Sequence, residues 1–218
     1  MLWVGLPQCI CGLLAMFLLK YIDSRLIMTV GFGMVAVACL MNAQLSSAWA
    51  DMNFLRSQAV MAVGLAFAFN AMVGSIILQV INTGALTRPI DVLTFAGFFQ
   101  TVRLFGGEAG AAFMQHFISI REQFHSNILG LSVQLGEPPT RQRLFGLTAD
   151  MASRTPGLGT AADRAADILS LQVRQQAFTL AITDSFTLVA WSVVCCLIAV
   201  ACMAPVAIEY RQIVKAAA

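Results

Sequence analysis

Charged side chains are scarce in this chain. Lys, Arg, Asp and Glu together make up 11% of its 218 residues, whereas hydrophobic residues make up 59%. A soluble domain typically carries about 25% charged residues. The composition therefore excludes an ordinary soluble domain and predicts an integral membrane protein.

Several chemical signatures are also missing. No basic run interleaved with aromatic residues occurs, so we expect no nucleic-acid partner. The chain has no H-E-x-x-H, G-x-S-x-G or phosphate-binding loop motif, and its six cysteines lie in apolar runs without zinc-site spacing. We expect no enzyme activity, cofactor or metal. The sole support for an enzyme with an intramembrane pair of catalytic carboxylates is that Glu108 and Asp184 are acidic residues in apolar runs.

Five long apolar runs dominate what is present. About 20 apolar residues cross a bilayer as a helix, and continuous rather than alternating apolar runs indicate helices. We therefore expect an all-α membrane protein, with about five transmembrane helices in a single transmembrane region, residues 1–218. The expected spans are residues 2–19, 26–45, 59–81, 92–120 and 177–208.

One long polar segment, residues 121–176, precedes the last span. Gly136, Pro138, Pro139 and Pro156 provide turn signals in it, and residues 161–176 have the pattern of a short amphipathic helix. We expect this segment to be an external loop. Basic residues in the short loops favour a cytoplasmic location for residues 20–25, residues 83–91 and the carboxyl terminus, because long loops follow the positive-inside rule poorly.

Charge inside the fourth run is the most informative feature of the sequence. Arg103 and Glu108 lie in its middle, and an arginine at mid-bilayer costs about 2.5–3.5 kcal/mol on insertion scales. They lie about 140° apart around a helix, so each needs a partner on another helix or a wet cavity. Two interpretations stay open: the charges lock helices together, or they couple to substrate or ion movement. Nearby polar and small residues are Gln100, Gly106, Gly107 and Gly110, of which the glycines permit close helix packing.

Other polar side chains lie in or beside the remaining spans. Asn70 and Gln79 in the third run bridge helices or line a pathway, and Asp184 lies near the start of the fifth. His116 and His125 lie near the end of the fourth run. A core or interfacial role is the simpler interpretation of these histidines, and a proton relay is the alternative.

Three stretches carry a resemblance to a known family. The sequence Arg103-Leu-Phe-Gly-Gly-Glu-Ala-Gly110 resembles the R-x-x-G-G-x-x-G of fourteen-span, EmrB/QacA-type drug:proton antiporters of the major facilitator superfamily. A degenerate form of that family's cytoplasmic loop motif lies at Lys20, Asp23 and Arg25. The stretch from Gln175 through Asp184 resembles the opening of the family's last span, and Glu108 stands where the family usually has a small or apolar residue.

The resemblance implies the second bundle of a major facilitator fold. It further implies a multi-pass protein of a bacterial inner membrane that exports small hydrophobic or amphipathic compounds by proton coupling. We expect the lipid bilayer, protons, such compounds and a missing amino-terminal transporter half as partners, and we expect Arg103, Glu108 and Asp184 to act in transport or proton coupling. The alternative is a truncated or non-transporting membrane protein that serves as a helix-packing or assembly subunit. We expect the chain to be an incomplete transporter alone.

Overall fold

Helices make up nearly all of the described structure. The computed structural model of the chain describes residues 2–46, 51–82, 89–133, 138–153 and 158–203. No strand occurs in these ranges, so the prediction of an all-α protein is confirmed. The six helices are α1 (Leu2–Leu18), α2 (Ser24–Asn42), α3 (Asp51–Asn82), α4 (Pro89–Ser132), α5 (Pro138–Ala152) and α6 (Leu158–Cys202).

Three helices of the described part are long and apolar enough to cross a membrane. They are Ser24–Asn42, Met52–Val80 and Gly159–Cys202. These helices contain most of the predicted spans at 26–45, 59–81 and 177–208. Their length and composition are consistent with a multi-pass membrane protein.

The other two predicted spans are not among these three. The apolar helix Pro7–Leu18 in α1 is shorter than the three helices named above. The apolar stretch of α4 is interrupted by polar and charged side chains, which lower its hydropathy. The spans at 2–19 and 92–120 therefore stay predictions.

The segment expected to be a loop is mostly helical. Helix α4 continues to Ser132, α5 follows, and α6 already begins at Leu158, so the short helix predicted at 161–176 is the first part of α6. Alanine, leucine, glutamine and arginine are frequent in these stretches and favour helix. Helices therefore extend beyond the apolar runs from which the spans were predicted.

The chain divides into two compact units. Unit 1 comprises Met1–Gln44, Trp49–Ala111 and Phe186–Ala218. Unit 2 comprises Leu45–Ala48 and Ala112–Ser185.

Helix α2 contributes to both buried clusters of unit 1. One buried cluster joins Val35 and Cys39 of α2 to Ala190 and Val193 of α6. A second joins α2 to α3 and α6, and its buried members are Ile27, Met28, Ala71 and Val200. Helix α2 therefore packs against both α3 and α6.

Two glycines allow α2 and α3 to approach closely. A Cβ placed on Gly31 would lie 2.9 Å from the carbonyl oxygen of Gly64 and would also overlap the backbone of Ala68. A Cβ on Gly64 would lie 2.9 Å from the carbonyl oxygen of Gly31 and from the backbone nitrogen of Val35. Only glycine fits at both positions, as in other close helix pairs with small residues at the contact. We call this contact the α2–α3 crossing.

Unit 2 has a buried stripe along α6. Every fourth residue from 161 to 185 is buried or half-buried in this stretch. The fully or nearly fully buried members are Ala161, Ala165, Ala177, Ala181 and Ser185. Because most of these side chains are small, other helices can lie close to this face of α6.

Candidate functional site

A cluster of charged and titratable side chains joins α4 to α6 within unit 2. Arg121 and His125 are four residues apart and therefore lie on one face of α4. The Nε of Arg121 donates to Oδ2 of Asp184 on α6 at 2.7 Å. The Nε2 of His125 lies 2.7 Å from the same oxygen. We call these three residues the Asp184 cluster.

The Asp184 cluster is partly shielded from its surroundings. The exposed fractions of the side chains are 33% for Arg121, 30% for Asp184 and 16% for His125. The ring of Phe124 covers the Arg121 guanidinium at 4.9 Å and lies edge-on to the His125 ring at 5.5 Å. Charge-assisted hydrogen bonds are strongest where water competes least, so these contacts fix the carboxylate between the two helices.

Asp184 is the shared hydrogen-bond acceptor of this cluster. Asp184 accepts hydrogen bonds as a carboxylate, and protonation would remove its charge and its attraction for Arg121. His125 is the second partner of the same carboxylate oxygen. No group of three or more His, Cys, Asp or Glu side chains in the described ranges is arranged to hold a metal ion.

Arg103 and Glu108 have different surroundings in unit 1. The Arg103 guanidinium lies 5.1 Å from the centre of the Phe69 ring on α3. This cation–π contact gives the charge a partner within unit 1. Glu108 is exposed, as is every residue from 100 to 113. The two charges are therefore not brought together, in agreement with their separation around the helix.

The residues around Arg103 and Glu108 lie at an exposed surface of α4. Gln100 is exposed, and no described atom lies within 4 Å of a Cβ placed on Gly106, Gly107 or Gly110. No helix of the described part therefore packs closely against them. The close packing assigned to these glycines stays a prediction.

The two polar residues singled out in α3, Asn70 and Gln79, differ in their surroundings. The amide nitrogen of Asn70 donates to the carbonyl oxygen of Ala66 on its own helix at 2.8 Å, and it lies near Gly12 of α1. Gln79 is exposed. Asn70 thus lies at the α1–α3 contact, whereas the Gln79 side chain lies at the surface.

The loop motif residues cap two helices of unit 1. Asp23 is the N-cap of α2, and its Oδ1 accepts from the backbone nitrogen of Arg25 at 3.1 Å. The guanidinium of Arg25 donates to the carbonyl oxygens of Val200 and Ala201 at 3.3 and 3.2 Å, at the end of α6. A cation at a helix carboxyl terminus is favourable. Lys20 makes a cation–π contact with Tyr21 at 5.9 Å.

Not all of these features are evident from the sequence. Arg121 lies in the segment expected to be an external loop, although its spacing of four from His125 indicates a shared helix face. The α2–α3 crossing was also missed, although Gly64 and Ala68 form a small-x-x-x-small pattern. No local signal indicated that Asn42 would be fully buried without a hydrogen-bond partner among the described atoms.

Comparisons with known proteins leave the chain without an assigned family. No family model, no curated protein and no solved structure matches it.

Proposed function

We propose that the chain acts in the proton-coupled export of small hydrophobic or amphipathic compounds across a membrane. The observation that carries this proposal is the Asp184 cluster, in which one carboxylate oxygen contacts both Arg121 and His125 at a junction of two helices. Proton coupling requires a group that holds a proton in one conformation and releases it in another. Asp184 supports this proposal because its partners lie on a different helix, so a change in the α4–α6 contact would change the charges beside it.

The coupling step follows from the charges of this cluster. Ionised Asp184 holds α6 to α4 through Arg121 and His125. When a proton binds Asp184, the attraction for Arg121 disappears and the α4–α6 contact weakens. When the proton leaves, the contact returns. Proton binding therefore selects between two arrangements of these helices, and export uses the difference between them.

The charges of unit 1 give further support. Arg103 lies in an apolar stretch against Phe69, and Glu108 lies exposed on the same helix. Intramembrane charges are rare and mark substrate or ion pathways. In this proposal Arg103 and Glu108 interact with protons or substrate, while Asn70, Gln79 and Gln100 contribute polar contacts along the pathway.

Neutralising Asp184 tests the proposal. Asp184→Asn keeps the size of the side chain and removes the titratable group, so proton-driven export should be lost while expression is retained. The assay is accumulation of a hydrophobic dye in everted membrane vesicles with an imposed proton gradient. Asp163→Asn is the matched control, because Asp163 is an exposed carboxylate of the same helix. Normal gradient-driven transport by Asp184→Asn would refute the role of this carboxylate.

A specific observation favours the alternative of an assembly subunit. The surroundings of Gly106, Gly107 and Gly110 are open, which is the condition for a further helix to pack there. Arg103→Ala separates the two functions. Loss of efflux at normal expression supports transport, whereas loss of expression with no specific transport defect supports a packing role.

A further inference from the structure

Two adjoining pockets lie open at the surface of unit 2. The larger, of about 730 Å³, lies between α4 and α6, and the smaller, of about 380 Å³, is lined by α4, α5 and α6. Ser126 and Ser170 line both. The two pockets therefore adjoin at these serines, and we call them together the cleft. Each part has the volume of a small-molecule site.

The larger part of the cleft is polar. Ser119, Gln123, Ser126, Asn127 and Ser170 all line it. Hydroxyl and amide side chains donate and accept hydrogen bonds without carrying charge. The Ser170 hydroxyl donates to the carbonyl oxygen of Asp167 at 2.8 Å, so its oxygen is oriented as an acceptor. This wall suits a ligand group with several hydroxyls.

The charges of the polar part neutralise each other. The Nε of Arg174 donates to Oε1 of Glu122 at 3.2 Å. The Glu122 side chain is 22% exposed and that of Arg174 is 76% exposed, so the acidic partner is the better fixed of the two. A charged ligand would have to displace one member of this pair. An uncharged ligand leaves it intact.

The smaller part of the cleft is predominantly apolar. Val133, Leu144, Leu169 and Val173 are the large side chains that line it. Burying an alkyl chain against such a surface contributes about 0.8 kcal/mol per methylene, which corresponds to about a fourfold change in affinity.

We propose that the cleft binds an amphipathic molecule with an uncharged, hydroxyl-rich head group and an alkyl tail. The head group hydrogen-bonds to the serine, glutamine and asparagine side chains, and the tail occupies the apolar part. Arg121, His125 and Asp184 do not line either cavity. The site is thus distinct from the Asp184 cluster and goes beyond the proposed function.

Direct binding tests this proposal. The protein in lipid nanodiscs is titrated calorimetrically with octyl β-glucoside below its critical micelle concentration, and empty nanodiscs provide the background. We expect saturable binding, and we expect hexyl β-glucoside to bind about fifteenfold more weakly because it lacks two methylenes. Ser170→Trp fills the junction of the two parts and should weaken binding at least tenfold. Gln175→Trp, an exposed position on the same helix outside the cleft, should leave binding unchanged.

Head-group chemistry is tested by two further comparisons. Gln123→Ala and Asn127→Ala remove exposed polar partners without touching the interior, and each should weaken octyl glucoside binding severalfold. Octyltrimethylammonium should bind more weakly than octyl glucoside to the parent protein. Tighter binding of the cation, no saturable glucoside binding, or equal binding by Ser170→Trp would overturn the proposal. The titration involves no transport, so its failure leaves the proposed export untouched.

Discussion

Glycines have opposite surroundings in two parts of unit 1. At the α2–α3 crossing, Gly31 and Gly64 lie against the backbone of the facing helix, and neither has room for a Cβ. In the middle of α4, Gly106, Gly107 and Gly110 face open space. Small residues permit close approach of helices but do not by themselves bring a helix there.

A glycine pattern within one helix does not by itself show where that helix contacts another. The R-x-x-G-G-x-x-G stretch of α4 is the denser glycine pattern, yet the tight contact of the described part lies elsewhere. At the α2–α3 crossing, one small patch meets another small patch on the neighbouring helix. A pattern within one helix therefore predicts a permissive surface, and a contact requires a matching surface on a partner.

The largest effect is expected at the α2–α3 crossing. Gly31→Leu places a side chain into the backbone of α3 and should lower the free energy of unfolding by about 3 kcal/mol or more. Gly33→Leu is the control on the same helix, because nothing lies within 4 Å of a Cβ placed there. Thermal unfolding in detergent, followed by circular dichroism, measures both. Equal stability of the two variants would remove the distinction between close and open glycines.

A smaller effect of opposite sign is expected at the far end of α2. The Asn42 side chain is 0% exposed, and neither its nitrogen nor its oxygen has a hydrogen-bond partner among the described atoms. Replacement by the similarly shaped leucine removes unpaired polar atoms, so Asn42→Leu should raise the free energy of unfolding by about 1–2 kcal/mol. The same unfolding assay applies. A lower melting temperature would mean that the amide is hydrogen-bonded in the folded protein.

At the other end of α2, the contact of Arg25 with the end of α6 should contribute less to the free energy of unfolding. Arg25→Gln removes the charge that reaches the carbonyl oxygens at the end of α6, and should lower stability by about 1 kcal/mol. Lys20, in the loop before α2, makes only a cation–π contact with its neighbour Tyr21, so Lys20→Gln should change stability less. If the lysine variant is the more damaging of the two, Arg25 does not cap α6.

The smallest change in stability is expected at an open glycine of α4. Gly106→Ala in the open part of α4 should raise stability by about 0.5–1 kcal/mol, because alanine favours helix and nothing opposes its Cβ. Chemical denaturation of the purified chain provides the measurement. A clear loss of stability would show that another helix packs against Gly106.

The sequence predicts the all-helical class well because its apolar runs are long and continuous. The three helices that meet the criteria for a membrane span overlap the predicted spans at 26–45, 59–81 and 177–208. The helix ends are less predictable. Polar stretches with good helix propensity extend α4 beyond the apolar run and begin α6 before it, and the apolar pattern contains no signal for either extension.

The candidate site is only partly predictable from the sequence. Asp184 stands out as a carboxylate in an apolar run, and Asp23 and Arg25 stand out by their resemblance to a loop motif. The partnership of Asp184 with Arg121 and His125 joins residues about sixty positions apart. Such a contact depends on how α4 and α6 pack in unit 2, and local periodicity carries no information about that packing.

The most direct test is the effect of pH on substrate binding. Tetraphenylphosphonium, a hydrophobic cation, is titrated into the purified protein at a series of decreasing pH values, and calorimetry measures its affinity. We expect acidification to weaken binding by the parent protein and by Asp163→Asn, because a proton that neutralises Asp184 removes its attraction for Arg121, and we expect the affinity of Asp184→Asn to be independent of pH. An equal pH dependence of Asp184→Asn and the parent protein would contradict the assignment of Asp184 as the proton-carrying group.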